Sequence, residues 1–257
     1  MMRVAIAGDW HGSKRHAVAA IDVVADHGIR HLLHLGDFGI WPGVKGERFL
    51  AHVTDACAAA DVTIYITAGN HDDWPQIYAT PLDDRDDIGP CHWMSERIAV
   101  LPRGHRFTLG GRSFVSLGGA PSIDRADRFE GLDWWPEEII TDTDVDVVVA
   151  GGAAEVILLH DSPSSPWCTD AVAAIQQDHT GWNPAELYYC AIGRSRVTRA
   201  VKAVVPKLVF HGHFHVLDHA VRDIDGVDHP VEVYSLPQEN RPGNLVFLDL
   251  TDLTVTT

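Results

Sequence analysis

Thiols, basic charge and long apolar runs are all scarce in this chain, and each shortage closes off a class of function. There are four cysteines, Cys57, Cys91, Cys168 and Cys190, with no C-x-x-C spacing among them. That excludes a zinc knuckle and a disulfide framework, and it suits a reducing cytosol. Lys and Arg number 20 against 36 Asp and Glu, a formal net charge of −16. So acidic a surface repels nucleic acid and anionic membranes at long range. No apolar run approaches the roughly 20 residues of a membrane span. The N-terminus passes from Met1-Met2-Arg3 straight into strand-like Val4–Ala7, leaving no room for a signal peptide. The expectation is a soluble cytoplasmic protein whose partner is a small molecule, with no stable nucleic-acid or membrane binding. Oligomeric state is left open.

What the chain does have is alternation of strand and helix patterns. Its 257 residues, 46% hydrophobic, suffice for a substantial core and are expected to form one domain, 1–257. Arg3–Gly8, His31–Leu35 and Val62–Ile66 read as strands. Between them Ser13 is placed to cap a helix with Ala17, Ile21 and Val24 on one face, closed by Gly28. A second helix carries Phe49, Val53 and Cys57 four residues apart. Strands joined by helices imply parallel βαβ units, whose carboxyl ends line a ligand crevice. Residues 73–102 and 120–138 read as irregular, with Arg106–Leu117 a hairpin turning at Gly110-Gly111. Alternation resumes at Val156–Leu159, a helix within Ala185–Val204, and Leu208–Phe210. Strands follow at His219–Asp223, Val231–Leu236 and Leu245–Leu250. The acidic runs at Asp83–Asp87 and at Asp142, Asp144 and Asp146 read as solvated loops.

Just past the strand patterns stand Asp9-Trp10-His11, Gly36-Asp37, Gly69-Asn70-His71-Asp72, His160 and Gly212-His213-Phe214-His215. Alone, none is decisive. In this order, each at a strand's end, they supply carboxylates, imidazoles and one amide oxygen, a complete ligand set for two metal ions. Two divalent ions roughly 3.5–4 Å apart need a shared carboxylate between them. Nitrogen and oxygen donors suit Mn²⁺ first, or Fe or Zn²⁺, rather than Cu(I) or an iron–sulfur cluster. Four imidazoles serve Mg²⁺ and Ca²⁺ poorly.

These motifs, spanning residues 9 to 215, resemble those of the calcineurin-like metallophosphoesterase superfamily. The resemblance implies an α/β fold, a β-sandwich of two mixed sheets flanked by helices. It implies that Asp9, His11, Asp37 and His215 hold one divalent ion. Asp37, Asn70, His160 and His213 would hold the other, with Asp37 bridging. A hydroxide held between the ions would attack phosphorus. His71 would point at the leaving group as general acid or charge stabiliser, work suited to an imidazole. His34 and His211 stand close to the ligands, and Asp161 is placed to orient His160.

The phosphoprotein phosphatase branch carries an Asp and an Arg after its Gly-Asp, where this chain reads Gly36-Asp37-Phe38-Gly39-Ile40-Trp41, and it has Glu where this chain has Asp72. The missing Arg removes a bidentate clamp on a terminal dianionic phosphate, which tilts the reading from phosphoproteins toward diesters. Arg125 and Arg128 are candidates to grip phosphate. Trp10, Trp41 and Trp74 are candidates for an aromatic wall beside a flat leaving group. The Trp134-Trp135-Pro136-Glu137-Glu138 stretch resembles a segment of little-characterised bacterial and phage members. The leading expectation is a dinuclear phosphodiesterase acting on small or cyclic nucleotide-type diesters. A phosphomonoesterase and a nuclease remain as alternatives, and a non-catalytic scaffold is disfavoured by the complete ligand set.

Overall fold

The computed structural model describes residues 2–257. In chain order its elements are β1 (Arg3–Ala7), α1 (Lys14–Asp26), β2 (His31–His34), α2 (Gly43–Ala60), β3 (Thr63–Ile66), α3 (Trp74–Ala79), β4 (Leu82–Asp83), β5 (Cys91–Trp93), β6 (Ile98–Val100), β7 (Arg106–Leu109) and β8 (Arg112–Leu117). There follow α4 (Asp142–Ala150), β9 (Val156–Leu159), α5 (Asp170–Gln177), α6 (Pro184–Val204), β10 (Leu208–His211), β11 (Asp218–Arg222), β12 (Val231–Ser235), β13 (Leu245–Asp249) and β14 (Val255–Thr256). Eight strands form one mixed sheet in the order β14-β13-β1-β2-β3-β6-β5-β4; six form the other, β11-β12-β10-β9-β8-β7. β1, β2 and β3 are parallel, with Ala5 opposite Leu32 and Leu32 opposite Ile64, as crossover helices require.

Side-chain alternation divides each central strand between two cores. Val4, Ile6, Leu33 and Tyr65 meet Phe114, Val156, Leu158 and Phe210 between the sheets. Ala5, Ala7, Leu32 and Ile64 turn the other way, onto Ile21 and Val24 of α1 and Phe49, Val53 and Cys57 of α2. A third core joins Val115, Ile157 and Val209 to Val145 and Val148 of α4 and Val197 and Val201 of α6. Because the central strands are buried on both faces, they read in sequence as short continuous apolar runs. The layers are helix, sheet, sheet, helix, the sandwich implied by the resemblance.

Three local expectations are corrected. The run Asp142, Asp144, Asp146 is no loop but the first turns of α4. Thr141 and Asp144 close a capping box there, Thr141 N–H donating to Asp144 Oδ2 at 2.7 Å. Carboxylates at a helix N-terminus meet the positive end of its dipole, and Arg196 and Arg199 of α6 pair with Asp142. Residues 73–102 hold α3 and three strands too short for alternation to show. Ser13 precedes α1, but its side chain makes no capping bond.

Among the described residues no helix is long and apolar enough to cross a membrane.

Candidate metal centre

The motif residues lie just beyond the carboxyl ends of β1, β2 and β3 in one sheet and of β9 and β10 in the other. The chain turns sharply at each end. Asp9, His11, Asp37, His213 and His215 all take left-handed φ values, between 44° and 65°. Such angles cost non-glycine residues roughly 1–3 kcal/mol each and persist only where surrounding contacts impose them. Two glycines give the carboxylates room. A Cβ on Gly69 would collide with Asp37 Oδ1, and one on Gly212 with Asp9 Oδ2.

Asp9, His11, Asp37 and His215 each offer one ligand atom, all within 4.8 Å of one another. His215 Nε2 is 3.4 Å from Asp9 Oδ1, and His11 Nε2 is 3.4 Å from Asp37 Oδ2. The other oxygen of Asp37 faces the second sheet, 3.4 Å from His160 Nε2. His160 Nε2 in turn lies 2.9 Å from Asn70 Oδ1, and its ring meets His213 edge-on with centroids 5.1 Å apart. Asp37 therefore stands between two sets of donors, as a bridging carboxylate must.

Ring orientation is set from behind. His160 Nδ1–H donates to the Leu35 carbonyl at 2.6 Å, leaving Nε2 as the donor atom toward a metal. His11 Nδ1 is held by the Asp9 carbonyl and by Glu239 Oε2, at 3.0 and 3.1 Å. The backbone N–H groups of His71 and His213 donate to Asp37 Oδ1 and Asp9 Oδ1. Asp72 accepts from the backbone N–H groups of Phe38, Gly39, Ile40 and Gly69, tying the Asp37 loop to the Asn70 loop.

The electrostatics favour positive charge here. Burial opposes protonation of His11 and His160. Asp37 and Asp9, helped by Glu239 at His11 and by the Leu35 carbonyl at His160, outweigh it and lift them to about 10 and about 9. Burial likewise opposes ionisation of Asp37, yet His160, His71 and His11 hold it well below the usual carboxylate range. Asp9 Oδ2 is buried with no hydrogen-bond partner among the described residues. An orphaned carboxylate oxygen is costly unless a cation meets it. The donor set and this oxygen fit a divalent metal.

His71 sits on the open side. Its Nε2 is 3.2 Å from Asn70 Nδ2, 3.4 Å from Arg128 Nη2 and 4.0 Å from Asp37 Oδ2. Burial, aided by Arg128 and against the pull of Asp37, keeps its pKa below the ordinary imidazole value. A cleft of about 420 Å³ opens beside it, lined among others by His11, Trp41, Lys45, Arg128 and Trp135. Asp124 grips the Arg128 guanidinium at Nε and Nη2, 2.6 and 2.7 Å, so its edge toward His71 is held rigidly.

Other candidates are placed elsewhere. Trp10 is fully buried, its Nε1–H given to Asn244 Oδ1 at 3.1 Å, so it offers no wall to a substrate. Trp74 is also buried, donating to the Gly69 carbonyl with the Arg103 guanidinium stacked on its ring. Arg125 turns to Glu186 at 2.6 Å and lies over the Tyr189 ring. Of the three tryptophans, Trp41 alone reaches the cleft. Asp161 does not orient His160: its Oδ1 takes the Ser162 N–H, and burial pushes it up to about 6. His34 accepts the Gly36 N–H and packs edge-on against Trp10 and Phe38, bracing the Asp37 loop. His211 Nδ1 bonds the Gly212 carbonyl oxygen. Sequence reasoning missed Glu239, Asn244 and Ser122. The one signal for Glu239 was a polar segment just after an apolar strand pattern, the same placement that marked the motifs.

A family model described as calcineurin-like phosphoesterase matches residues 2–217. No curated protein matches. Among solved structures, a protein of Thermus thermophilus shares the fold at 13% identity and a TM-score of 0.55, covering 99% of this chain and 97% of that one. A dimetal phosphatase from Danio rerio aligns at 12% identity and a TM-score of 0.57, over 96% and 91% of the two chains. With the family match spanning most of the chain and the ligand-rich strand ends converging as described, this protein belongs to the calcineurin-like phosphoesterase family.

Proposed function

We propose that the chain is a dinuclear metal-dependent phosphodiesterase acting on small or cyclic nucleotide-type diesters. The observation that carries this reading is Asp37, whose two oxygens face His11 and His160 at 3.4 Å each. Asp9, His11, Asp37 and His215 would hold one ion and Asp37, Asn70, His160 and His213 the other, with Mn²⁺ favoured and Fe or Zn²⁺ as alternatives. When bound, the ions supply Lewis acidity toward the phosphoryl oxygens and a hydroxide at neutral pH. The chain's own residues then position the ester. His71, beside Arg128 on the cleft side, is placed to stabilise the departing oxygen. Arg128 presents one fixed guanidinium edge, a match for a singly charged diester. The backbone N–H groups of Phe38, Gly39 and Ile40 are spent on Asp72, so they do not clamp a phosphate.

Phosphomonoesterase activity is the second reading. Lys45, whose Nζ lies 4.1 Å over the Trp41 ring at the cleft wall, supports it as a second cation for a dianion. The test is to strip the protein, reconstitute it with Mn²⁺ and compare rates on mono- and bis-nitrophenyl phosphate, cyclic nucleotides and single-stranded DNA, with Asp37→Ala as the blank. Faster turnover of small diesters is expected. Preference for the monoester selects the second reading, and reconstituted protein inert on every ester overturns both.

A further inference from the structure

Glu138, at the end of the Trp134–Glu138 cluster, is a fully buried carboxylate with no ion-pair partner among the described residues. Its hydrogen bonds point one way. Oε1 accepts the Ser122 backbone N–H at 2.7 Å and the Tyr189 hydroxyl at 3.0 Å; Oε2 accepts the Ser122 hydroxyl at 2.6 Å. Ser122 is itself buried, and its Oγ lies 2.9 Å from Asn70 Nδ2.

A serine hydroxyl has one proton to give. An ionised carboxylate can only accept, so that proton goes to Glu138. The lone pairs of Ser122 Oγ must then accept from Asn70, and only the nitrogen end of the amide can donate. The two ends of an asparagine amide are nearly identical in shape, and only hydrogen-bond partners tell them apart. Were the amide reversed, Ser122 would face an oxygen with no proton left to offer, and an NH₂ group would point at His160 and Asp37. His71 Nε2, the other neighbour of Nδ2, also faces the Arg128 guanidinium, which can only donate, so it accepts and favours the same end of the amide, at 3.2 Å against 2.9 Å for the Ser122 contact.

We propose that Glu138, acting through Ser122, is a positioning residue that locks the Asn70 amide with its oxygen toward the metal centre. The inference rests on the dinuclear reading above. It explains why a carboxylate is buried without a cation some distance from the metal ligands: its role is to polarise one hydroxyl. It also gives the 120–138 segment a task, since that segment supplies both members of the relay.

The test is calorimetric titration of Mn²⁺ into metal-free protein at pH 8, for the wild type and for Ser122→Ala, Ser122→Thr, Glu138→Gln and Tyr189→Phe. Thermal unfolding of each metal-free protein reports its stability. Wild type is expected to take two ions. Ser122→Ala and Glu138→Gln should weaken one of them on the order of ten- to a hundredfold, the usual effect of losing a partner behind a metal ligand. Ser122→Thr, which keeps the hydroxyl, should bind as wild type. Tyr189→Phe removes a bond to Glu138 but leaves the relay, so it should lower stability without changing metal affinity. Wild-type affinity for both ions in Ser122→Ala and Glu138→Gln overturns the proposal, as does equal weakening in Tyr189→Phe, which marks a merely structural role. Fewer than two ions on the wild type overturns the dinuclear reading, and the inference with it, whatever the variants do.

Discussion

His160 gives its Nδ1–H to the carbonyl of Leu35 at 2.6 Å, a bond between the two sheets that spans 125 residues of sequence. It places the loop after β9 against the end of β2 and selects the tautomer that leaves Nε2 free to bind metal. His160→Ala removes the proposed ligand and leaves the Leu35 carbonyl buried and unsatisfied. Metal-free protein should lose roughly 1–3 kcal/mol from that acceptor, read by urea unfolding. Mn²⁺ stoichiometry should fall from two to one.

In the proposed reading, His71 is assigned to the leaving group rather than to the metals. His71→Ala should keep both ions and lose turnover on the order of 10²–10⁴-fold for esters with poor leaving groups, and far less for nitrophenyl esters. Kinetics across a series of leaving groups, with metal content measured alongside, checks this. An even loss across the series would sink the role.

The two arginines separate cleanly. Arg128 edges the cleft and Arg125 is committed to Glu186. Arg128→Ala should lower kcat/KM by about ten- to a hundredfold, the worth of one charge-assisted bond. Arg125→Ala should leave kcat/KM near wild type and show its effect in thermal stability.

Burial pushes the thiols of Cys57, Cys91 and Cys190 up to about 12, and that of Cys168 upward as well. Thiolates are the reactive form. Native protein at pH 8 should therefore be silent to Ellman's reagent over minutes, and all four thiols should react once it is unfolded in guanidinium.

Burial, against the hydrogen bonds from Ser122 and Tyr189, raises Glu138 from 4.5 to about 7. Between those pH values the folded protein keeps a proton that the unfolded chain releases, so this group's contribution to stability falls as pH rises. Below about 4.5 it is fully present and above about 7 it is lost, a swing of roughly 3–4 kcal/mol. Glu138→Gln lacks the step. Urea unfolding at pH 4.5, 6 and 8 should show the wild type losing ground against the variant as pH rises, and parallel profiles would refute it.

The cluster of candidate ligands was legible because its information is local. Each motif sits where an apolar strand run stops, and the end of a parallel strand is a predictable place. The helices α1 and α2 and the strands between them were legible for the same reason, through periodic burial. Strands β5 and β6 were not, since three residues carry no period. Nor was α4, whose alternating aspartates and valines hid a capping box.

Residue identity and order were enough to set the donor types that gather at the strand ends. Which neighbouring groups face those donors was settled by long-range packing. Trp10 stands between two candidate ligands in sequence, yet it is drawn into the core by Asn244, 234 residues away. Arg125 and Arg128 lie three residues apart, yet Glu186, 61 residues beyond Arg125, takes the first and leaves the second at the cleft. A hydrogen-bond partner so distant leaves no trace in the local pattern, and it is the partner that settles where a polar side chain points.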